Sequence, residues 1–382
     1  MKNIWVDVSA CNSDLKCGIS SLIVNLLRRM IADNDYNVMP FILASEINNE
    51  NVAELNRQHI YPFVKKNKIK YFFLQYFFSY IYRRKMMFGK AGENISIYPS
   101  NFIHFGKSKG KSIVILHDVI PFTEMATLNL TYKGKLVLKL TKRMMSYAAN
   151  KADIVITVSE FSKKDIIKYT GCRGDNIHVM HLGVEKFEYD PEMAERVRQK
   201  YNLPEKYIVY IGGLVERKNI ERLLLAFDTL VNASRIDDAY HVAIVGNKEK
   251  VISLVSSLDL SSETKDRIVI PGFVDEEEKG HLYHMATYSI YPSLYEGFGL
   301  PIIEAMSAGT PVITSNVTSM PEVSDGAALL CDPYSVEDIA DKMELLANDE
   351  ILQKELIEKG HERADALTWD NTYKVLKKII DN

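Results

Sequence analysis

At 382 residues the chain is long enough for two domains, and 47% hydrophobic with 25% charged residues is the balance of a globular protein. No apolar run reaches the roughly 20 residues needed to cross a bilayer as a helix, and the opening MKNIWVDVSACNSD has Asp7 where a secretory signal would be apolar. The four cysteines (Cys11, Cys17, Cys172, Cys331) show neither zinc spacing nor a disulfide framework, so a reducing cytoplasm is the expected compartment.

The net charge of −3 hides an asymmetry. Residues 1–190 hold 27 Lys and Arg against 17 Asp and Glu, a net of +10; residues 191–382 hold 20 against 33, a net of −13. A basic half is expected to meet an anionic partner. No RNA- or DNA-binding motif is visible, so nucleic acid is not the expected partner. A membrane surface or a phosphate-bearing acceptor fits better.

In chain order, IWVDVS reads as a strand and Ile19–Ile31 as a helix, followed by the strands NVMPFIL, NISIYPS, KSIVILHD and ADIVITVS, with HVMHLGV closing the first half. Between the first two strands of this half, Asp33-Asn34-Asp35 matches the D-x-D that holds a metal in some transferases. It falls where a turn is expected, and Asp and Asn are turn formers, so no metal is expected there. Residues 65–90 (KKNKIKYFFLQYFFSYIYRRKMMFGK) combine a dense aromatic run with basic flanks. This combination suits a peripheral contact with an anionic membrane; the alternative is a core element of the first domain. His178 and His181 are read as core residues of a strand. A polar stretch, EKFEYDPEMAERVRQKYNLPEK, marks the domain boundary, giving domains at 1–190 and 191–365 and a terminal helix at 366–382.

The second half alternates regularly. YIVYIGG is an apolar strand, and the helix from Asn219, a candidate N-cap, carries Ile220, Leu223, Leu224, Phe227 and Val231 on one face. HVAIVG, a helix near 248–258, RIVIPGFV, the helix DEEEKGHLYHMA with a solvated acidic start, TYSIYPS, PVITS, AALLC and the helix SVEDIADKMELLAND follow. Apolar strands alternating with amphipathic helices predict an α/β fold of parallel sheets covered on both faces. Ligands of such sheets lie at the carboxyl ends of the strands.

One such end carries the most informative segment, YPSLYEGFGLPIIEAMSAGTPVITS (291–315). It reads strand, glycine-rich loop, helix, strand. Pro301 suits a helix start, Glu304 is expected in the first turn, and Gly309 ends the helix. Unpaired amides at a helix start beside Gly297 and Gly299 form a site for an anion or a hydroxyl-rich ligand, and Glu296 and Glu304 add two acceptor-only carboxylates. Phosphate plus sugar hydroxyls is what a nucleotide-sugar offers. At another strand end, Gly212 and Gly213 permit close backbone approach, and the adjacent cations Arg217 and Lys218 suit a leaving diphosphate. His117 ends KSIVILHD, with Asp118 expected to brace the loop.

The run Glu296-Gly297-Phe298-Gly299-Leu300-Pro301-x-x-Glu304 resembles the nucleotide-sugar signature of the retaining family 4 glycosyltransferases, and the resemblance covers nearly the whole chain. It implies the GT-B fold: two Rossmann-like domains facing across a cleft, with the last helix crossing back to the first. It also implies transfer of a sugar from a nucleotide-sugar, GDP-mannose or a UDP-sugar, to a glycan or lipid-linked hydroxyl, as in bacterial surface-polysaccharide assembly. Within the family pattern, Arg217 and Lys218 hold the diphosphate and Glu304 the ribose hydroxyls. Glu296 holds a hydroxyl of the transferred sugar, and the amides of Phe298, Gly299 and Leu300 serve sugar or phosphate. The backbone at Phe273 and Val274 meets the base, and His117 lies near the anomeric region. No cofactor or metal is implied. Gly18 stands where the family often has a double glycine followed by a basic residue; here both the second glycine and the basic residue are missing. That departure keeps open a non-catalytic nucleotide-binding scaffold, beside another GT-B activity such as a sugar-nucleotide epimerase.

Overall fold

The computed structural model describes residues 2–12, 18–42, 61–62, 94–103, 110–126 and 131–382. The aromatic and basic run at 65–90 lies outside the described residues, as does Cys17. The chain divides into two compact units, Met1–Leu182 with Trp369–Asn382, and Gly183–Thr368.

The first unit carries β1 (Lys2–Asp7), α1 (Gly18–Ala32), β2 (Tyr36–Ile42), β3 (Tyr61–Pro62), β4 (Asn94–Tyr98), β5 (Lys111–Leu116), α2 (Tyr132–Lys151), β6 (Ile154–Thr157), α3 (Glu160–Thr170) and β7 (Ile177–Val179). All strand pairs are parallel, in the order β3-β2-β1-β4-β5-β6-β7. Strands so enclosed must be apolar on both faces: Ile113, Val114, Ile115 and Leu116 of β5 are all fully buried. Each such side chain removed from water contributes about 1.5–3 kcal/mol. The terminal helix (Trp369–Asp381) docks on this unit through Leu376 and Ile380 and through ion pairs of Lys2 with Asp381 and of Arg29 with Asp370.

The second unit carries α4 (Pro191–Tyr201), β8 (Lys206–Ile211), α5 (Ile220–Asn232), β9 (Tyr240–Val245), α6 (Lys248–Ser257), β10 (Ile268–Gly272), α7 (Glu276–Met285), β11 (Tyr288–Tyr291), α8 (Leu300–Ser307), β12 (Val312–Ser315), β13 (Leu329–Cys331), α9 (Val336–Asn348) and α10 (Glu350–Ala366). Its parallel sheet runs β10-β9-β8-β11-β12-β13. The chain builds outward from β8 to one side and then resumes at β11 on the other. The loops leaving β8 and β11 therefore diverge and open a crevice at their carboxyl ends, the place where such sheets take ligands. These are the loops that carry Arg217, Lys218 and Glu296.

Several expectations need correction. The polar stretch read as the domain boundary also contains a helix not read from sequence, α4, capped by Asp190, whose side chain accepts from the Glu192 amide. Helices α2, α3 and α10 have no counterpart among the elements read from sequence; their polar faces dilute the apolar periodicity. His178 is exposed rather than core, because β7 is an edge strand, and His181 lies beyond it and is half-buried. Among the described residues no helix is long and apolar enough to cross a membrane.

Candidate functional site

The turn leaving β8 and the loop leaving β11 are stitched together by backbone and side chain. The Leu294 amide donates to the Arg217 carbonyl at 2.7 Å, and Arg217 Nη1 donates to the Tyr295 carbonyl at 3.1 Å. Asn219 sits at the start of α5 with φ +61° but makes no side-chain cap. Its amide instead donates to the carbonyls of Pro292 (3.0 Å) and Pro333 (2.7 Å), and its Oδ1 accepts from Arg222. Asn219 thus holds the expected N-cap position without a side-chain capping bond, because its amide is committed to cross-links between loops.

At the centre, Glu296 Oε1 receives Arg217 Nη1 at 2.6 Å and Lys218 Nζ at 2.7 Å. The Tyr291 hydroxyl lies 3.3 Å from the same oxygen and accepts from Lys218 Nζ. Lys218 also stands over the Tyr291 ring, 4.5 Å from its centroid, and that ring stacks on Tyr210 at 5.9 Å with a 13° interplanar angle. Burial, reinforced by the negative charge of Glu296, pushes the Tyr291 hydroxyl well above its ordinary pKa, so it remains a neutral donor. Lys218 and Glu296 are largely removed from water, where charge interactions are strongest. Two cations and one carboxylate give these three side chains a net charge of +1 at the mouth of the crevice.

The loop itself is buried. Gly299 adopts φ +108°, a conformation that strains any residue with a Cβ, and a Cβ there would also press on the Ile302 side-chain tip at 2.9 Å. The Ser319 hydroxyl lies 3.0 and 2.8 Å from the carbonyls of Glu296 and Phe298 and donates to either. Thr318, at φ +58°, accepts from the Glu296 amide at 3.3 Å. Gly297 and Phe298 are buried, while Leu300 opens α8 and is partly exposed. Gly309 follows α8 at φ +75°, as expected of a helix stop.

Glu304 falls in the second turn of α8 rather than the first, because the helix begins at Leu300. Its Oε1 accepts from Lys279 Nζ at 2.7 Å, and Lys279 also pairs with Glu276 at 2.8 Å. Burial pulls the Lys279 pKa down, but the two carboxylates outweigh it and the net shift is upward, so the lysine stays charged. The acidic start of α7 is thus only partly solvated: Glu278 is tied to Lys200 and Tyr201.

Gly213 is exposed after β8, and its carbonyl accepts from the Tyr210 hydroxyl at 3.0 Å. Beyond β10, Phe273 is 75% exposed and Val274 half-buried, following Gly272 at φ +87°. His117 and Gly18 belong to the other unit. His117 is buried, with Nε2 2.7 Å from the Pro99 carbonyl. Burial lowers its pKa, so it is a neutral imidazole with Nε2 as donor and Nδ1 as acceptor. Asp118 Oδ1 accepts from the Ile120 amide and braces the loop. Gly18 is the exposed first residue of α1. The Asp33 and Asp35 carboxylates each accept from Lys377 at 2.7 Å. Tyr291, Asn219, Ser319 and Lys279 were not foreseen as site residues; Tyr291, at a strand's carboxyl end two residues before the serine of the loop, carried the one readable signal.

The profile of the glycosyl transferases group 1 matches residues 192–363, and that of Glycosyltransferase Family 4 matches residues 18–186. The O-antigen chain mannosyltransferase B of Escherichia coli is 32% identical over 265 residues, covering 68% of either chain. This chain belongs to the family 4 glycosyltransferases. A second relative of this glycosyltransferase is the serotype-specific mannosyltransferase WbdA of Escherichia coli, 29% identical over 273 residues; the match covers 69% of the chain and 32% of WbdA, about a third of that longer protein. The solved structure of WaaG, a glycosyltransferase involved in lipopolysaccharide biosynthesis, superposes with a TM-score of 0.72 at 14% identity, covering 99% of this chain and 100% of WaaG. At that identity it bears on the fold alone, which is GT-B. The crevice of the second unit is therefore the candidate donor site of a glycosyltransferase.

Proposed function

We propose that this glycosyltransferase moves a sugar, with retention of anomeric configuration and without a metal ion, from a nucleotide-sugar to a hydroxyl of a glycan or lipid-linked acceptor in bacterial surface-polysaccharide assembly. The observation that carries this reading is the convergence of Arg217 and Lys218 on Glu296 at the point where the strand order reverses. The mannosyl activity in the relatives' names puts GDP-mannose first among donors, ahead of a UDP-sugar.

In this reading the donor's diphosphate takes the place beside Arg217 and Lys218, whose fixed positive charge does what a divalent ion does elsewhere. The bond from the anomeric carbon to the diphosphate oxygen breaks, and the acceptor oxygen bonds to that carbon from the same face. The acceptor's proton passes to the departing diphosphate. Glu296, with two cations on one oxygen, is suited to hold a sugar hydroxyl rather than to attack carbon. The amides of Gly297 to Leu300 face sugar or phosphate, Glu304 the ribose, and the backbone at Gly213, Phe273 and Val274 the nucleotide. The family resemblance gives His117, a neutral imidazole, a role toward the sugar and Gly18 one toward a phosphate.

Thermal unfolding against GDP, UDP, ADP and CMP, followed by turnover of the matching nucleotide-mannose or nucleotide-glucose, tests it. A nucleotide at about 100 times its dissociation constant adds roughly 2.7 kcal/mol. Arg217→Ala should lower kcat/KM by about 10²–10³, the usual cost of losing one charge-stabilising donor. Full activity in that variant would overturn the diphosphate assignment; transfer that requires a divalent ion would overturn metal independence.

A further inference from the structure

Helix α2 is built in two halves of opposite character. Its C-terminal half is ordinary: Met144, Met145, Ala148 and Ala149 are buried in the hydrophobic core beneath the first sheet. The N-terminal half stands in solvent, yet it presents Tyr132 (87% exposed), Leu136 (55%), Val137 (49%) and Leu140 (37%). Spacings of three and four residues put Tyr132, Leu136 and Leu140 in one stripe with Val137 beside it. Well-packed soluble surfaces seldom expose an apolar stripe of this kind without a use for it.

The charge on this helix is of one sign. Lys133, Lys135, Lys139, Lys142, Arg143 and Lys151 lie on α2, and the helix contains no Asp or Glu. The exposed half is nonetheless a formed helix: the Thr131 side chain accepts from the Gly134 amide at 3.2 Å and caps it. Exposed leucines flanked by lysines on a helix lying at a surface are matched by the boundary between anionic headgroups and acyl chains, where the apolar stripe is buried and each cation meets a phosphate. A protein partner would have to supply both an apolar groove and a dense acidic rim.

We propose that the N-terminal half of α2, from Tyr132 to Arg143, is a docking surface for an anionic lipid bilayer. It holds the first unit against the membrane without crossing it. The inference does not depend on the donor-site reading, because α2 belongs to the first unit and the contact is measured without any nucleotide-sugar.

The experiment is co-sedimentation of the full chain with vesicles of phosphatidylcholine alone and of phosphatidylcholine with about one-third phosphatidylglycerol, at low and high salt. Two variants accompany it, Leu136→Gln/Leu140→Gln and Lys135→Gln/Lys139→Gln, all at exposed positions where glutamine sustains a helix; unfolding midpoints equal to that of the parent establish that they fold. Binding is expected with the anionic vesicles, weakening with salt, and each double variant should lower the partition coefficient more than tenfold, about fivefold for each cation removed. Failure to bind anionic vesicles, equal binding to neutral ones, or binding that both variants retain would each overturn the proposal. The last result would transfer the contact to other residues, 65–90 among them.

Discussion

Lys279 Nζ lies 2.7 Å from Glu304 Oε1, so the second glutamate of the E-x7-E motif is held by a lysine from the preceding helix before any ligand arrives. A largely buried cation bridges Glu304 and Glu276 and leaves Glu304 one oxygen to offer. Removing the cation strands a partly buried carboxylate. Lys279→Met should lower stability by about 1–3 kcal/mol, roughly 2–4 °C in Tm for each kcal/mol in a unit of this size. An unchanged melting curve would mean that water solvates Glu304 as well as the lysine does.

The Tyr291 hydroxyl joins Lys218 to Glu296. Tyr291→Phe keeps the ring, its stack on Tyr210 and the cation above it, and removes only the hydroxyl. A hydrogen bond to charged groups contributes about 1.5–3 kcal/mol to stability, so Tm should fall by roughly 2–4 °C for each kcal/mol, and loosening the Lys218–Glu296 pair should lower kcat/KM as well. Steady-state kinetics with both substrates decide this. If the loss lies entirely in acceptor KM, Tyr291 does not position the donor-side cluster.

Gly299 sits at φ +108°, which favours glycine over any residue with a Cβ. Gly299→Ala should cost about 1–3 kcal/mol in backbone strain and should displace the amides of the loop. A differential scan and a nucleotide titration on the same variant would then show lower Tm and weaker binding together. Tight nucleotide binding in an unstable variant would mean that the loop amides make no contact with it.

The Asp33 carboxyl is held down at about 2 chiefly by its hydrogen bond from Lys377 on the terminal helix, assisted by the Asp35 amide and Tyr373 against the opposing cost of burial. A folded-state pKa below the unfolded value adds stability above the unfolded pKa near 4, and that stability drains away as pH falls toward about 2. The native protein should therefore lose Tm over this window, and Lys377→Ala should lose less there while starting lower at neutral pH. Parallel pH profiles of the two proteins would contradict this coupling of the terminal helix to the α1–β2 turn.

The strands of both sheets were legible because enclosed parallel strands must be continuously apolar, as YIVYI and SIVIL are. The functional loops were legible where chemistry demands rare combinations: adjacent cations, two carboxylates eight residues apart, and glycines at a helix start. Helices such as α2 were not, because Lys133, Lys135, Lys139, Lys142 and Arg143 interrupt its apolar residues, and periodicity alone does not say which face is buried.

From sequence alone came the residue types, their spacing and the strand ends on which they fall. Which of them touch was decided by tertiary structure. Asn219 reads as a helix cap, but its amide reaches Pro292, 73 residues along the chain, because β8 and β11 are neighbours in the sheet, and it also reaches Pro333, 114 residues along, beyond β13. Arg217 and Lys218 meet Glu296 for the same reason. Local propensity reports the few residues around each position; a charge partner is chosen by strand order, and strand order emerges only when the whole apolar core has closed.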